Sequence, residues 1–262
     1  MTKEELLAKC AFPPAGEVVS LAVSGGPDSV GMALLAHAAG LSLHLHHVNH
    51  HLRANSDLDA ELVVALAASL GALVSVHDVH LDDGGNLESR ARAARRSVLP
   101  PDALTGHTMD DLAETVVLNL LWGAGIDGLS PMTRDVTKPL LQIRRADLRE
   151  FVQASGQAFI DDPTNQDQSL RRNAVRHRIM PALMDIGERD IVPIVARQAW
   201  LISEERAWLD AIVAPDLLLE LHEVDCRELQ TWPSARLRRF LRAKLTTTCL
   251  LYTSPSPRDL ST

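Results

Sequence analysis

At 262 residues, with 46% hydrophobic and 23% charged residues, the chain has the composition of a globular protein with one large domain and a smaller one. No apolar run approaches the ~18 residues that span a bilayer, and the mixed polar start MTKEELLAKCAFPP is no secretory signal. A cytoplasmic protein with no membrane partner is therefore expected. The net charge of −8 argues against a general nucleic-acid binder. The basic residues, however, are mostly arginines in clusters: Arg90, Arg92, Arg95 and Arg96; Arg171, Arg172, Arg176 and Arg178; Arg236, Arg238, Arg239 and Arg242. Arginine suits bidentate phosphate contacts, although such clusters also arise as solvated helix faces. Cys10, Cys226 and Cys249 are scattered with no C-x-x-C pair, which disfavours a disulfide framework, a zinc site or a cysteine-held iron–sulfur cluster.

In chain order, residues 18–23 (VVSLAV) form a β-branched apolar run between Pro13-Pro14 and Gly25-Gly26, and so read as a buried parallel strand. Residues 28–39 read as a helix stopped by Gly40, and 41–48 (LSLHLHHV) as a second strand. A helix follows from Ser56, a plausible N-cap, to its stop at Gly71, and residues 72–81 read as a third strand. Residues 86–98 are helical, PDALTGHT is a short strand entering a loop, and 110–122 is another helix. Strands alternating with helices of 10–16 residues imply an α/β, doubly wound parallel sheet. Ligands of such sheets sit beyond the carboxyl ends of the strands, which puts the Ser24–Ser29 loop and the GHTMDD loop on one site. From about residue 186 only helical patterns remain, so a helical segment is appended. The final TTTCLLYTSPSPRDLST abandons helical periodicity and resembles translated read-through of a sequencing adapter. The expected organisation is an α/β domain over 1–185, a helical linker or incomplete second domain over 186–245, and an atypical tail over 246–262, with the sequence past about Leu245 expected not to be native.

Ser24, Gly25, Gly26, Pro27, Asp28 and Ser29 join the first strand to its helix. Small residues there expose backbone N–H groups at a helix N-terminus, an anion site before any side chain is considered. The lysine of a common phosphate loop is absent and Asp28 stands in the loop instead. An aspartate beside phosphates is repulsive unless a cation bridges them, as Mg2+ does. The loop is therefore expected to hold pyrophosphate with a metal, which suits cleavage between the α- and β-phosphates of ATP.

The loop resembles the PP-loop of the N-type ATP pyrophosphatases, Rossmann-like adenine nucleotide α hydrolases that adenylate a carbonyl oxygen and let a nucleophile displace AMP. GMP synthetases, argininosuccinate synthetases and tRNA thiolases share it. Four further stretches resemble the tRNA(Ile)-lysidine synthetases: HVNHHLRANSDLDAELV (47–63), NLESRARAARRSVL (86–99), TGHTMDDLAETVVLNLLWGAGIDGLSPM (105–132) and DDPTNQDQSLRRNAVRHRIMPAL (161–183). The sequence departs from that family's pattern at Thr108 (often His), Leu112 (usually Gln), Trp122 (commonly Arg) and Arg96 (usually aromatic).

The resemblance implies ligation of free lysine to the wobble cytidine of a tRNA(Ile) with a CAU anticodon, using ATP and Mg2+. It implies catalytic roles for Asp28, Arg92, His107, Asp111 and Glu114, ATP binding by Ser24 to Ser29, and a magnesium ligand in Asp28. Asn49, Glu88, Arg95, Asn165, Arg172, Asn173 and Arg176 become substrate and tRNA contacts. A homodimer is compatible with it, although the sequence sets no oligomeric state. From the residues alone, Asp111 and Glu114 share a helix face and read either as metal ligands, amine-orienting groups or proton acceptors, or as acids stabilised by the helix dipole. His107 reads as a phosphate or base contact. His46 and His47 fall on opposite faces of a strand, which disfavours a metal site between them. A thiolase is disfavoured by the missing C-x-x-C pair. A decayed ATP-binding module and a truncated enzyme stay open as alternatives.

Overall fold

The computed structural model describes residues 1–51, 56–80, 87–161, 167–168, 170–218 and 225–248, without the side chains of 87–89, 226 and 246–248. Among these residues the chain runs α1 (Lys3–Leu7), β1 (Val18–Ala22), α2 (Pro27–Ala38), β2 (Ser42–Asn49), α3 (Ser56–Leu70), β3 (Leu73–Asp78), α4 (Leu87–Val98), β4 (Leu104–Thr105), α5 (Met109–Leu121), α6 (Ile126–Leu129) and α7 (Arg145–Ala154). A helical run then passes from α8 (Arg171–Ala174) through a π-helical turn (Val175–Ile179) into α9 (Met180–Gly187). The chain continues with α10 (Val192–Val213), a 3-10 segment (Ala214–Leu218), α11 (Cys226–Leu229) and α12 (Ser234–Thr248). The expected parallel α/β sheet is present, and predicted element ends shift by one to three residues. Helix α12 continues past Leu245, where the sequence pattern breaks; the rest of that tail lies outside the described residues.

The four strands lie in the order β3-β2-β1-β4, every pairing parallel. β1 leads by way of α2 to β2 on one side, while β4 pairs on its other side through Leu21 and Ala22. The direction of winding therefore reverses between β1 and β4, and a crevice opens there at the carboxyl ends. Leu21 and Leu45, fully buried in the central strands, join Val30, Leu35, Leu66, Leu140 and Leu148 in one core that holds the sheet between its helices. A second group, Leu112, Val116, Leu141, Ala196 and Ala199, fixes α5 against the first part of α10. Leu112 is fully buried there, so this departure from the family pattern is a packing residue.

Two close approaches set the site. Gly106, just after β4, lies so near α2 that a Cβ would stand 2.8 Å from the Asp28 carbonyl oxygen. Gly31, inside α2, lets α7 close on it: a Cβ would meet Leu148 Cδ1 at 2.6 Å and Val152 Cγ2 at 3.1 Å.

The chain divides into two compact units, Met1–Trp200 and Leu201–Thr262. In the second, Arg236 donates to Asp216 from Nε and Nη2 (2.7 and 2.5 Å), Arg236 stacks over Trp232, and Trp232 meets the fully buried Phe240 edge-on. Arg239 pairs with Asp210, and Arg238 is exposed. Arg236 and Arg239 thus have internal partners. Among the described residues no helix is long and apolar enough to cross a membrane.

Replacing Gly31 by Val overpacks the α2–α7 contact and should cost about 1–3 kcal/mol. At roughly 2–4 °C per kcal/mol for a unit of this size, a thermal unfolding scan should show the midpoint falling by several degrees.

Candidate active site

The loop after β1 owes its path to Gly25, whose φ of +85° puts it in the left-handed region that glycine tolerates best. A Cβ there would sit 2.8 Å from Ile160 Cδ1, and Ile160 N donates to Gly25 O at 2.9 Å, so the loop is braced from outside the helix it feeds. Gly26 is the N-cap and Pro27 opens α2, with no side chain capping the helix. Its first-turn amides therefore remain for an external acceptor. Inside the loop, Ser29 Oγ donates to Gly26 O (3.0 Å) and accepts from Ser24 N (3.2 Å), which ties the turn into a ring.

This loop forms one wall of a cavity of about 950 Å3. The opposite wall brings Thr105, Gly106, His107 and Asp111 from the β4–α5 connection, Arg145 and Arg149 from α7, and Arg172, Asn173, Arg176 and His177 from the helical run after Leu170. Arg95 of α4 and His46 of β2 close the side. Of the residues singled out in the sequence, Ser24, Gly26, Pro27, Asp28, Ser29, Arg95, His107, Asp111, Arg172, Asn173 and Arg176 meet here. Glu114 lies one turn deeper, 3% exposed, beside a second recess of about 100 Å3 that Met180, Pro181, Met184 and Val192 line. Asn49 does not reach the cavity; its amide donates to Asp57 Oδ1 and its oxygen accepts from His51 N, fixing the turn after β2. Arg92 is exposed on α4, outside the lining. Asn165 and the side chain of Glu88 lie outside the described residues.

The centre of the arrangement is a residue that sequence reading missed. Arg145 donates from Nη2 to Asp111 (2.9 Å), from Nη1 to Glu114 (2.9 Å) and from Nε to Asp28 (3.3 Å). Arg172 adds a 3.0 Å contact to the same Asp111 oxygen, and Arg176 grips Glu114 with both its Nε and Nη2 (2.8 and 3.0 Å). Its neighbour Arg144 binds Asp110 twice and also pairs with Asp190, while Arg145 N donates to Asp110 at 2.8 Å, which pins the start of α7 to the start of α5. Three acids of different origin and three arginines thus share one charge array. No local signal in QIRRADLREFV sets Arg145 apart, because its partners lie 31, 34 and 117 positions away.

Thr108, another departure from the family pattern, is the N-cap of α5. Asp111 Oδ2 accepts from both Thr108 N and Thr108 Oγ1 at 2.8 Å, in a reciprocal capping box. Burial opposes the Asp111 charge, but Arg145, Arg172 and the Thr108 amide outweigh it and hold the carboxyl well below the usual range. Both Asp111 oxygens are spoken for, so it is a weak proton acceptor and a strong orienting anion.

Asp28 is the reverse case. Burial pushes its carboxyl up to about 6 against the pull of Arg145, and its Oδ1 is buried with no partner among the described residues. That unsatisfied oxygen fits a cation shared with phosphates. Among the described residues no three His, Cys, Asp or Glu side chains gather to bind a metal alone, and a magnesium site completed by substrate oxygens needs no such group. Burial likewise pushes His107 down to about 4, so its imidazole is neutral near pH 7. Its Nδ1 lies 2.9 Å from Thr105 Oγ1, which itself donates to Thr137 O at 3.3 Å. With that donation made, the hydroxyl receives the Nδ1 proton and Nε2 is left as an acceptor. His47, on the other face of β2 from His46, donates through Nδ1 to Val23 O at 2.9 Å, behind the loop.

Two outcomes check this electrostatic picture. A carboxyl whose folded pKa, about 6, exceeds its ordinary value of 3.8 destabilises the fold above pH 6, and the penalty vanishes below about 3.8. Asp28→Asn should therefore be more stable than the parent in urea at pH 8, by about 1–3 kcal/mol, with the gain gone at pH 3.5. Arg145→Ala should instead lose about 3–5 kcal/mol in the same titration at pH 8, because it takes the one cation shared by Asp28, Asp111 and Glu114 out of a largely buried array.

The family model described as the PP-loop domain matches residues 2–183. The tRNA(Ile)-lysidine synthase of Thermus thermophilus is 43% identical over 177 residues, a match covering 62% of this chain and 35% of that protein. The tRNA(Ile)-lysidine synthase of Nocardia farcinica is 34% identical over 247 residues, covering 89% of this chain and 77% of that one. The chain thus spans about a third of the Thermus relative and most of the Nocardia one. Among solved structures, the U34-tRNA thiolase NcsA of Methanococcus maripaludis superposes with a TM-score of 0.61 at 19% identity, over 77% of this chain and 78% of that one, a likeness of fold. The switch-point cavity, the PP-loop on its wall and the length of these matches agree: the chain belongs to the PP-loop family and, within it, to the family of the tRNA(Ile)-lysidine synthases.

Proposed function

We propose that this chain acts as a tRNA(Ile)-lysidine synthase, a ligase that forms a carbon–nitrogen bond between free lysine and the wobble cytidine of a CAU anticodon at the expense of ATP. The observation that carries this reading is the pairing, across one cavity, of an uncapped helix N-terminus bearing Asp28 with the Asp111–Glu114–arginine array. The relatives named for this activity support it.

In this reading the Ser24–Ser29 loop and the first turn of α2 receive the β- and γ-phosphates, with Ser24 Oγ as a further donor. Asp28 holds Mg2+ through its orphaned oxygen. When bound, the ion offsets phosphate charge and makes the α-phosphorus a better electrophile. The cytidine carbonyl oxygen takes AMP and pyrophosphate leaves; the lysine ε-amine then attacks the same carbon and AMP departs.

Arg172 and Arg176, anchored by Asp111 and Glu114, are aimed at the cavity and stabilise the negative charge that develops there. His107 offers a neutral acceptor, which suits an amine donor (the cytidine N4 or the attacking lysine) and not a phosphate oxygen. Asp111 and Glu114 draw the lysine ammonium toward the site, where it competes with Arg145 for their oxygens. The anticodon base is unpaired, so turning it into the cavity is cheap. Arg92 and Arg95 of α4, with Glu88, Asn165 and Asn173, are assigned to tRNA and substrate contacts.

The test is transfer of radiolabelled lysine to an unmodified tRNA(Ile) transcript bearing CAU, with ATP and Mg2+. Incorporation is expected, and Asp28→Ala should reduce it by at least about a hundredfold. ATP binding without incorporation would leave an ATP-binding module; release of pyrophosphate with sulfur transfer in place of lysine transfer would point to a thiolase.

A further inference from the structure

Trp122 stands where the family pattern commonly has arginine, at the C-cap of α5, and it is 58% exposed. The helix ends there because Gly123 takes φ +73°, turning the chain into α6 and leaving the indole on the surface with Leu121, itself 63% exposed. The guanidinium of Arg171 lies over the Trp122 ring, 4.6 Å from its centroid. Arg171 begins α8 between Leu170 and Arg172, both of which line the cavity, so the stacked pair stands at the cavity rim. Among the described residues Arg171 makes no ion pair with a carboxylate, unlike Arg172 and Arg176 further along the same helical run.

An exposed indole with one face under a guanidinium matches the chemistry of unpaired nucleotides. A base stacks on the ring or on the guanidinium plane, and the next phosphate pairs with the charge. A second copy of the chain fits less well. A two-fold contact through this patch would bring two Arg171 guanidiniums together, at the cost of burying like charges. We propose that Trp122 and Arg171 form a stacking platform for an unpaired base of the tRNA beside the nucleotide entering the cavity. This rests on the function proposed above for the tRNA and adds a contact that a chain with arginine at residue 122 makes differently.

The experiment measures binding of the unmodified tRNA(Ile) transcript by filter retention to the parent chain, Trp122→Ala, Trp122→Phe and Arg171→Ala, with ATP binding on the same preparations as a check of folding. Trp122→Ala should weaken tRNA binding by about five- to a hundredfold with ATP binding unchanged, and Trp122→Phe should keep most of it. Arg171→Ala should weaken binding and flatten its salt dependence. The same loss in a parent chain that binds tRNA but transfers no lysine would support the platform while removing the proposed function. Unchanged tRNA binding in Trp122→Ala, with lysine transfer intact in the parent, would overturn the platform and leave the function standing. Absence of tRNA binding by the parent would overturn it as well. So would a dimer, seen by sedimentation, that Trp122→Ala breaks with no change in RNA affinity.

Discussion

One guanidinium organises this molecule's chemistry. Arg145 reaches Asp28 on the helix after β1, and Asp111 and Glu114 on the helix after β4. Without a shared cation, three acids around one cavity would repel each other and each would lose hydration to burial. With it, two of the three are paired so that they aim Arg172 and Arg176, and the third keeps one oxygen unsatisfied. The charge of the acids is thereby turned into a means of positioning arginines around the cavity. The local balance at the cavity differs from the chain's net charge of −8 for this reason.

The fold supplies the convergence. A four-stranded parallel sheet with its winding reversed between β1 and β4 places both strand-to-helix loops at one edge, and Gly106 lets them touch. α7 then lies across α2 because Gly31 admits Leu148 and Val152, which delivers Arg145 to the gap between the two loops. The π-helical turn after α8 has a related part: a wider turn re-aims successive side chains, and Arg176 and His177 of that turn line the cavity.

What the sequence discloses and what it hides divide along physical lines. The loop, the strand–helix alternation and the Asp111–Glu114 pair are local patterns: glycines at a turn, a run of β-branched residues, acids three apart on a helix. Each can be read within a dozen residues. Arg145 cannot, because its neighbourhood looks like any amphipathic helix and its meaning lies in residues far along the chain. Thr108 and Leu112 look like losses when set against a family pattern. In three dimensions one caps α5 and the other fills its core, so neither empties the cavity. Asn49, which the same pattern suggests for substrate, is spent on the turn after β2.

The two oxygens of Asp111 do different work. One closes the cap of α5 on Thr108; the other meets Arg145 and Arg172. An asparagine could keep the cap but would surrender the charge; a glutamate could close the cap, as Glu5 does on Thr2, but, one methylene longer, would carry its other oxygen to a different place beside Arg145 and Arg172. Helix start and charge array thus both bear on one side chain. Position 111 is therefore narrowed by protein architecture before any demand from a substrate is added. Its intolerance of substitution would not by itself identify it as a group that touches the reacting atoms.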